Sequence, residues 1–373
     1  MEKRRRKILN WFLYVCYLFA VIIISLELLL RLYYPFQRKT RGGKWKLSTN
    51  IIYQLHNNHQ PRLDRVVINK RNSIGFRGED PVKDMHSRFT ILTVGGSTTA
   101  CTFLTEGKTW TDKLGTQLQK EFPAVWINNA GLDGHSTYGH LNFMYYYFPT
   151  LSFRPNVIIF LIGANDVDRN DLSFIDSSFK GSVSGARSWL ENHSETINFF
   201  IDLKWMIHPV DIFKDTPDWS FTDFKNVHLT PAYIDSALNK QNEILPAFRK
   251  RLCILAELCR TNNIEPVFVT QPSVFGDGTW PGGNPAIDFH VYHQTENGQL
   301  FWKKLALYNN ITRQVSGEKQ VYCIDLGQLM PKDTSYYYDV IHFTNAGAQK
   351  VADILFDGLS KHFTKQFPNY QKK

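Results

Sequence analysis

Five short apolar runs, each ending on small or polar residues, set the pattern of most of the chain. They are Phe89–Val94, Val125–Asn128, Val157–Ile162, Pro266–Thr270 and Val321–Asp325. Near-continuous apolar character over such short runs suits strands buried on both faces. Stretches of helical pattern separate them: Trp110–Glu121, Tyr138–Phe148, Asn239–Thr261, Gly298–Val315 and Asn345–Phe363. This alternation predicts an α/β fold with a five-stranded parallel sheet covered on both sides. Residues 34–88 read as polar and irregular. The alternation also breaks between Asp168 and about Pro231, in a stretch rich in Phe and Trp. That stretch reads as an insertion capping or bordering the domain. Ser273–Asn297, rich in Gly and Pro, forms a second irregular rim.

One run is of a different kind. Trp11–Leu30 holds 20 residues with a single acid, Glu27. As a helix it measures about 30 Å, the thickness of a bilayer core. The basic cluster Lys3-Arg4-Arg5-Arg6-Lys7 precedes it, which favours a cytoplasmic N-terminus. It is followed by Arg31-Leu32-Tyr33-Tyr34-Pro35, with no small-x-small cleavage site. The expectation is an uncleaved, single-pass signal anchor with the large domain outside the cytoplasm. Glu27 is expected near the membrane interface. The division that follows is a tail and transmembrane helix over 1–33, a linker over 34–71, the main domain over 72–363 with its insertion at about 168–231, and a tail over 364–373.

Charge changes the picture only at that end. Residues 1–46 carry 11 Lys and Arg and two acids, which accounts for the whole net charge of +9. The remaining 32 basic residues are matched by 32 acids. A generally basic nucleic-acid-binding domain is therefore not expected. The five cysteines are scattered, with no CxxC pair. His290 and His293 have a spacing that suits a metal on a helix, but no third ligand is evident. No metal or cofactor is expected.

The chemistry collects at the ends of strands. The first strand runs into Gly95-Gly96-Ser97, the second into Asn129-Ala130-Gly131, and the third into Gly163-Ala164-Asn165-Asp166. Asp339-Val340-Ile341-His342 opens the last helical region. In a doubly wound sheet the carboxyl ends of parallel strands face one crevice, so these residues can converge. A serine hydroxyl needs a base to take its proton, and His342 is the candidate. Asp339, three residues away, can orient the imidazole and stabilise its charged form.

Ser, Gly, Asn and His, in this order and at these strand ends, resemble the four blocks of the SGNH hydrolases, or GDSL-type esterases. The resemblance covers roughly residues 72–363. It implies a three-layer α/β/α, flavodoxin-like SGNH fold and a Ser97–His342–Asp339 triad. It also implies an oxyanion hole made by the N–H of Ser97, the N–H of Gly131 and the side-chain amide of Asn165. Gly95-Gly96-Ser97 stands where the family has Gly-Asp-Ser, which leaves the hydrogen bonding of the elbow to be found.

The reading that results is a membrane-anchored serine esterase. It forms an acyl-enzyme at Ser97 and cleaves or transfers a small acyl group, acetyl foremost. Its partners are the membrane and an acyl-ester substrate, with an O-acetylated cell-envelope glycan as the candidate. A lipid-directed lipase or thioesterase would use the same triad. A non-catalytic envelope binding or assembly module would need none of it.

Overall fold

The computed structural model describes residues 2–35, 40–41, 44–45, 47–58, 60–170, 189–190, 193–207, 225–276, 287–291 and 294–372. The chain divides into two compact units, residues 1–48 with 180–211, and residues 49–179 with 212–373.

The first unit contains helix α1 (Glu2–Leu32) and helix α3 (Glu195–Ile207). Arg4–Leu32 is long and apolar enough to cross a membrane. Glu27, the one acid of its apolar run, accepts hydrogen bonds from Ser194 Oγ (3.0 Å), Glu195 N (3.0 Å) and Thr196 N (2.9 Å). The carboxylate thus caps the first turn of α3, a partner for Glu27 that sequence pattern did not supply.

The second unit is built on five parallel strands: β1 (Phe89–Gly95), β2 (Val125–Asn129), β3 (Val157–Ile162), β4 (Glu265–Thr270) and β5 (Tyr322–Ile324). Their order is β5-β4-β3-β1-β2. This is the flavodoxin-like order, and its switch point lies between β1 and β3. The registers Thr93↔Asn129 and Gly95↔Leu161 bring the carboxyl ends of β1, β2 and β3 to one edge. All residues of β1 and β3 are buried, the apolar run of β3 being unbroken and that of β1 interrupted only by Thr90 and Thr93. Alternate side chains serve opposite layers. Phe89, Ile91, Val157 and Ile159 join the core formed with α2 (Trp110–Leu118) and α6 (Asn345–Gln366). Phe160 points the other way, its ring 6.0 Å from that of His140. That second layer holds α4 (Pro231–Thr261) and α5 (Gly298–Lys319), which meet through Phe248 and Tyr308 with ring centroids 4.9 Å apart.

Several elements differ from expectation. Residues 51–56 and 66–71 form an antiparallel hairpin within the second unit, not an irregular linker. Its alternation, with Val67 and Asn69 turned inward and their neighbours outward, is the reason. Helix α4 begins eight residues earlier than expected, because the Thr230 side chain accepts from Tyr233 N and Pro231 occupies the first helical position. The C-terminal tail is packed: Phe367 lies tilted against Phe89 at 4.9 Å and Tyr370 stacks on it at 5.4 Å. His290 lies on a strand (Ile287–Val291), not on a helix, and His293 falls outside the described residues, as do Phe174, Phe179, Phe213, Trp219, Phe221 and Phe224. Among the described residues no cluster of metal-ligating side chains occurs.

Candidate active site

Ser97 opens a four-residue helix directly after β1. The glycines before it are required by space. A Cβ on Gly95 would come within 2.1 Å of Thr99 Oγ1, and one on Gly96 within 2.2 Å of Asn165 Nδ2 and 3.0 Å of His135 O. The side-chain-free Gly96 therefore lets the Asn165 amide close on the backbone beside Ser97. The far end of the short helix is held from below. Arg77, 1% exposed, donates to Ala100 O (2.9 Å), Cys101 O (2.7 Å) and Leu104 O (2.7 Å) and pairs with Glu106 at 2.8 Å. Asn129 Nδ2 donates to Thr99 O. These bonds take up carbonyls that a short helix cannot satisfy by itself.

His342 reaches Ser97 from a loop between β5 and α6. Its Nε2 lies 2.7 Å from Ser97 Oγ and its Nδ1 lies 2.6 Å from Asp339 Oδ2. Asp339 Oδ1 accepts from the backbone N–H of Ile341 (2.9 Å) and of His342 (2.7 Å), so the carboxylate is fixed by its own turn. The Tyr338 ring stacks on the imidazole, 5.5 Å between centroids and 9° from parallel. Burial works against charge on both members of this pair. For Asp339 it is outweighed by the imidazole and by the hydrogen bonds from His342 and Ile341, and the carboxyl is held below its ordinary value. For His342 burial is outweighed by the Asp339 carboxylate, and the imidazole is held above its ordinary 6.5.

The three residues expected at an oxyanion hole are not placed alike. Asn165 Nδ2 donates one hydrogen to His135 O at 3.0 Å, which leaves its second hydrogen for another acceptor. Ser97 N–H is at a helix start, and no acceptor for it occurs among the described residues. Gly131 N–H, by contrast, is already bonded to Asn129 Oδ1 at 2.8 Å, and a Cβ there would lie 2.4 Å from Ala100 N. Gly131 packs against the underside of the elbow. Three residues on, Gly134 adopts a left-handed φ of 76°, next to the His135 carbonyl that holds Asn165. No acceptor for its N–H occurs among the described residues.

A buried network ties this turn to Asn165. Asp166 accepts from Thr137 N and Thr137 Oγ1 and pairs with Arg251 Nη2 at 3.3 Å. Arg251 Nε also donates to Thr137 Oγ1 at 2.6 Å, and its guanidinium lies 3.9 Å from the centre of the Tyr138 ring. Asp166 thus ties the start of the Thr137–Asn142 helix to α4. His140, buried beside them, is kept neutral: burial and then the Arg251 charge lower its pKa to about 3.

Beside Ser97 lies a small apolar recess of about 10 Å³, lined by Cys101, Phe103, Leu104, Tyr338 and Phe343.

The sequence model of the GDSL-like Lipase/Acylhydrolase family matches residues 93–174, a segment holding Ser97, Gly131, Gly134 and Asn165. In that segment the resemblance to GDSL-type serine ester hydrolases is shown. No curated protein matches the chain. An alpha/beta hydrolase enzyme from the metagenome of Lake Arreo, Spain, is similar at 14% identity over 73% of this chain and 94% of its own, with a TM-score of 0.40. An acetylxylan esterase from Geobacillus stearothermophilus is similar at 13% identity over 72% of this chain and 93% of its own, with a TM-score of 0.40.

Proposed function

We propose that this GDSL-like serine ester hydrolase is held at a membrane and removes or transfers a small acyl group, acetyl foremost, through an acyl-enzyme at Ser97. The observation that carries the reading is the continuous chain Ser97 Oγ–His342–Asp339, with contacts of 2.7 and 2.6 Å. His342 Nε2 takes the Ser97 proton as Oγ attacks the ester carbonyl. Asp339 keeps the Nδ1 proton in place and stabilises the imidazolium that forms. The oxyanion is met by donors already in position, which need no rearrangement as charge develops. We assign these to Ser97 N–H, Asn165 Nδ2 and Gly134 N–H, the last in place of Gly131. The imidazolium then protonates the departing alkoxide, leaving an ester on Ser97. In the second half His342 deprotonates the acceptor, water for hydrolysis or a sugar hydroxyl for transfer.

The recess beside Ser97 supports the small acyl group. Its volume is about that of one water-sized sphere, room for a methyl and not for an alkyl chain. The glycan assignment is supported by the anchor and by the aromatic content of the insertion. The first test is a fluorophosphonate probe on the full chain, with the adduct mapped by mass spectrometry. Labelling is expected at Ser97 and is expected to vanish in His342→Ala. Labelling elsewhere, or equal labelling of His342→Ala, would remove the triad. A series of p-nitrophenyl esters then tests the recess: acetate should be turned over fastest, and Phe103→Ala should shift the preference towards butyrate.

A further inference from the structure

Outside the active site, the arrangement of α1 and α3 is unusual. Glu27 lies five residues before the end of α1, about 8 Å along the helix axis. A carboxylate at that depth of an apolar span is costly unless it is paired. Here it is fully engaged. Three donors come from Ser194, Glu195 and Thr196, and a fourth is Arg31 Nε at 3.0 Å. Arg31 also donates to His193 O at 2.9 Å. The first turn of α3 is therefore fastened at the level of Glu27, inside the end of the apolar span.

The outward face of the segment has an inverted polarity. Thr196 and Asn198 are buried, at 7% and 1% exposure, while Phe200 (57%), Trp189 (60%) and Leu190 (38%) point outward. Eight of the 13 residues of α3 are apolar. In water, large apolar groups outside and polar groups inside is the wrong way round. The anchor beside it shows the same outward character, with Leu28, Leu29 and Leu32 at 59%, 60% and 90% exposure. Aromatic residues at the end of a span belong to the headgroup belt.

We propose that α3, with Trp189 and Leu190 before it, is a membrane-interface element: its outer face lies in the bilayer surface and is locked to the anchor by Glu27. The occupant of this face is lipid. The inference rests on reading α1 as a membrane span, and the test separates the two.

With the partly exposed Cys253 and Cys323 replaced by Ser, the full-length protein is labelled with an environment-sensitive fluorophore, either at native Cys16 or at Phe200→Cys with Cys16→Ser added. It is then reconstituted in phosphatidylcholine–phosphatidylglycerol vesicles carrying spin-labelled lipids. The Cys16 probe is expected to be quenched by deep spin labels. The probe at position 200 is expected to be quenched by shallow labels and protected from aqueous iodide. Adding Glu27→Ala is expected to abolish quenching at position 200 and leave a Cys16-labelled chain quenched as before. Hydrolysis of p-nitrophenyl acetate by each variant shows that the second unit is folded. A probe at 200 that iodide reaches and lipid labels do not, with Cys16 still quenched, would overturn the interface element alone. Loss of quenching at Cys16 as well would remove the anchor and the proposal with it.

Discussion

In the proposed mechanism a protonated His342 cannot accept the Ser97 proton, so its pKa sets the acid limb of the reaction. The Asp339 carboxylate holds that value above 6.5 against burial. Activity should therefore be complete above the raised value and fall as pH drops through it, with a limb lying above that of an ordinary histidine. Asp339→Asn removes the larger opposing charge and leaves burial opposed only by the Asp133 carboxylate. The limb should move below 6.5 while kcat falls on the order of 10²–10⁴-fold, read from pH–rate profiles. Gly96→Ala tests the elbow differently. The added methyl meets the tip of Asn165 at 2.2 Å, and a side-chain amide can swing away. Thermal unfolding should change little, while kcat drops on the order of 10²–10³-fold for one lost oxyanion donor. Ser97, Asn165, Asp339 and His342 were legible in the sequence because each is a distinctive side chain at a strand end. The preference proposed here for Gly134 over Gly131 was not. Both are glycines after β2, and what separates them is that the Asn129 side chain folds back onto the N–H of Gly131. That is a tertiary detail with no periodicity behind it.

Elements carry the site through contacts that join distant parts of the chain. Arg251 sits on α4, yet it closes the loop between Thr137 and Asp166. Both partners are almost fully buried, with side chains 5% and 1% exposed. Removing one partner strands the other, so Arg251→Met should cost about 3–5 kcal/mol of stability. Replacing Asp166 by Leu as well removes the stranded charge, and the double variant should recover much of that loss in denaturant melts. Activity should not recover with it, because the Gly134 and Asn165 turns have lost their common tie. A recovery of both together would make the network a matter of stability only. The sequence displayed α4 through its apolar spacing but gave no reason to pair Arg251 with a residue 85 positions earlier. Thr230-Pro231 is the local signal for the start of α4, at the edge of a stretch that lacks helical spacing. The five strands were legible because burial on both faces keeps their runs mostly apolar, with few polar residues such as Thr90, Thr93 and Asn128 among them.

At the scale of the molecule, part of the segment read as a linker packs against the loop that carries Asp339 and His342. Gln60 Nε2 donates to Tyr338 O at 3.2 Å, and Arg62 Nη1 donates to Tyr337 O at 3.0 Å and to Thr334 O at 3.1 Å. These bonds strap the loop that carries Asp339 and His342. The hairpin strand that follows reaches the other side of the triad: Ile68 O accepts from Glu106 N at 2.9 Å, and Lys70 N donates to Glu106 Oε1 at 2.9 Å. Glu106 in turn pairs with Arg77, which holds the carbonyls behind Ser97. Leu63 and Val67 add apolar burial, at 7% and 0% exposure. The boundary that matters thus falls at Thr49, where the second unit begins, and not at residue 72. A chain begun at Thr49 should hydrolyse p-nitrophenyl acetate as the full chain does while losing its attachment by α1 and the Glu27 lock on α3. A chain begun at Asn72 should be less stable by several kcal/mol, roughly the loss of two buried side chains, and should lose activity even where it stays folded. The comparison is made by measuring kcat/KM and urea midpoints for both. Equal activity from the shorter chain would show that the triad loop and the elbow stand without their strap, and would return residues 49–71 to the role of a spacer.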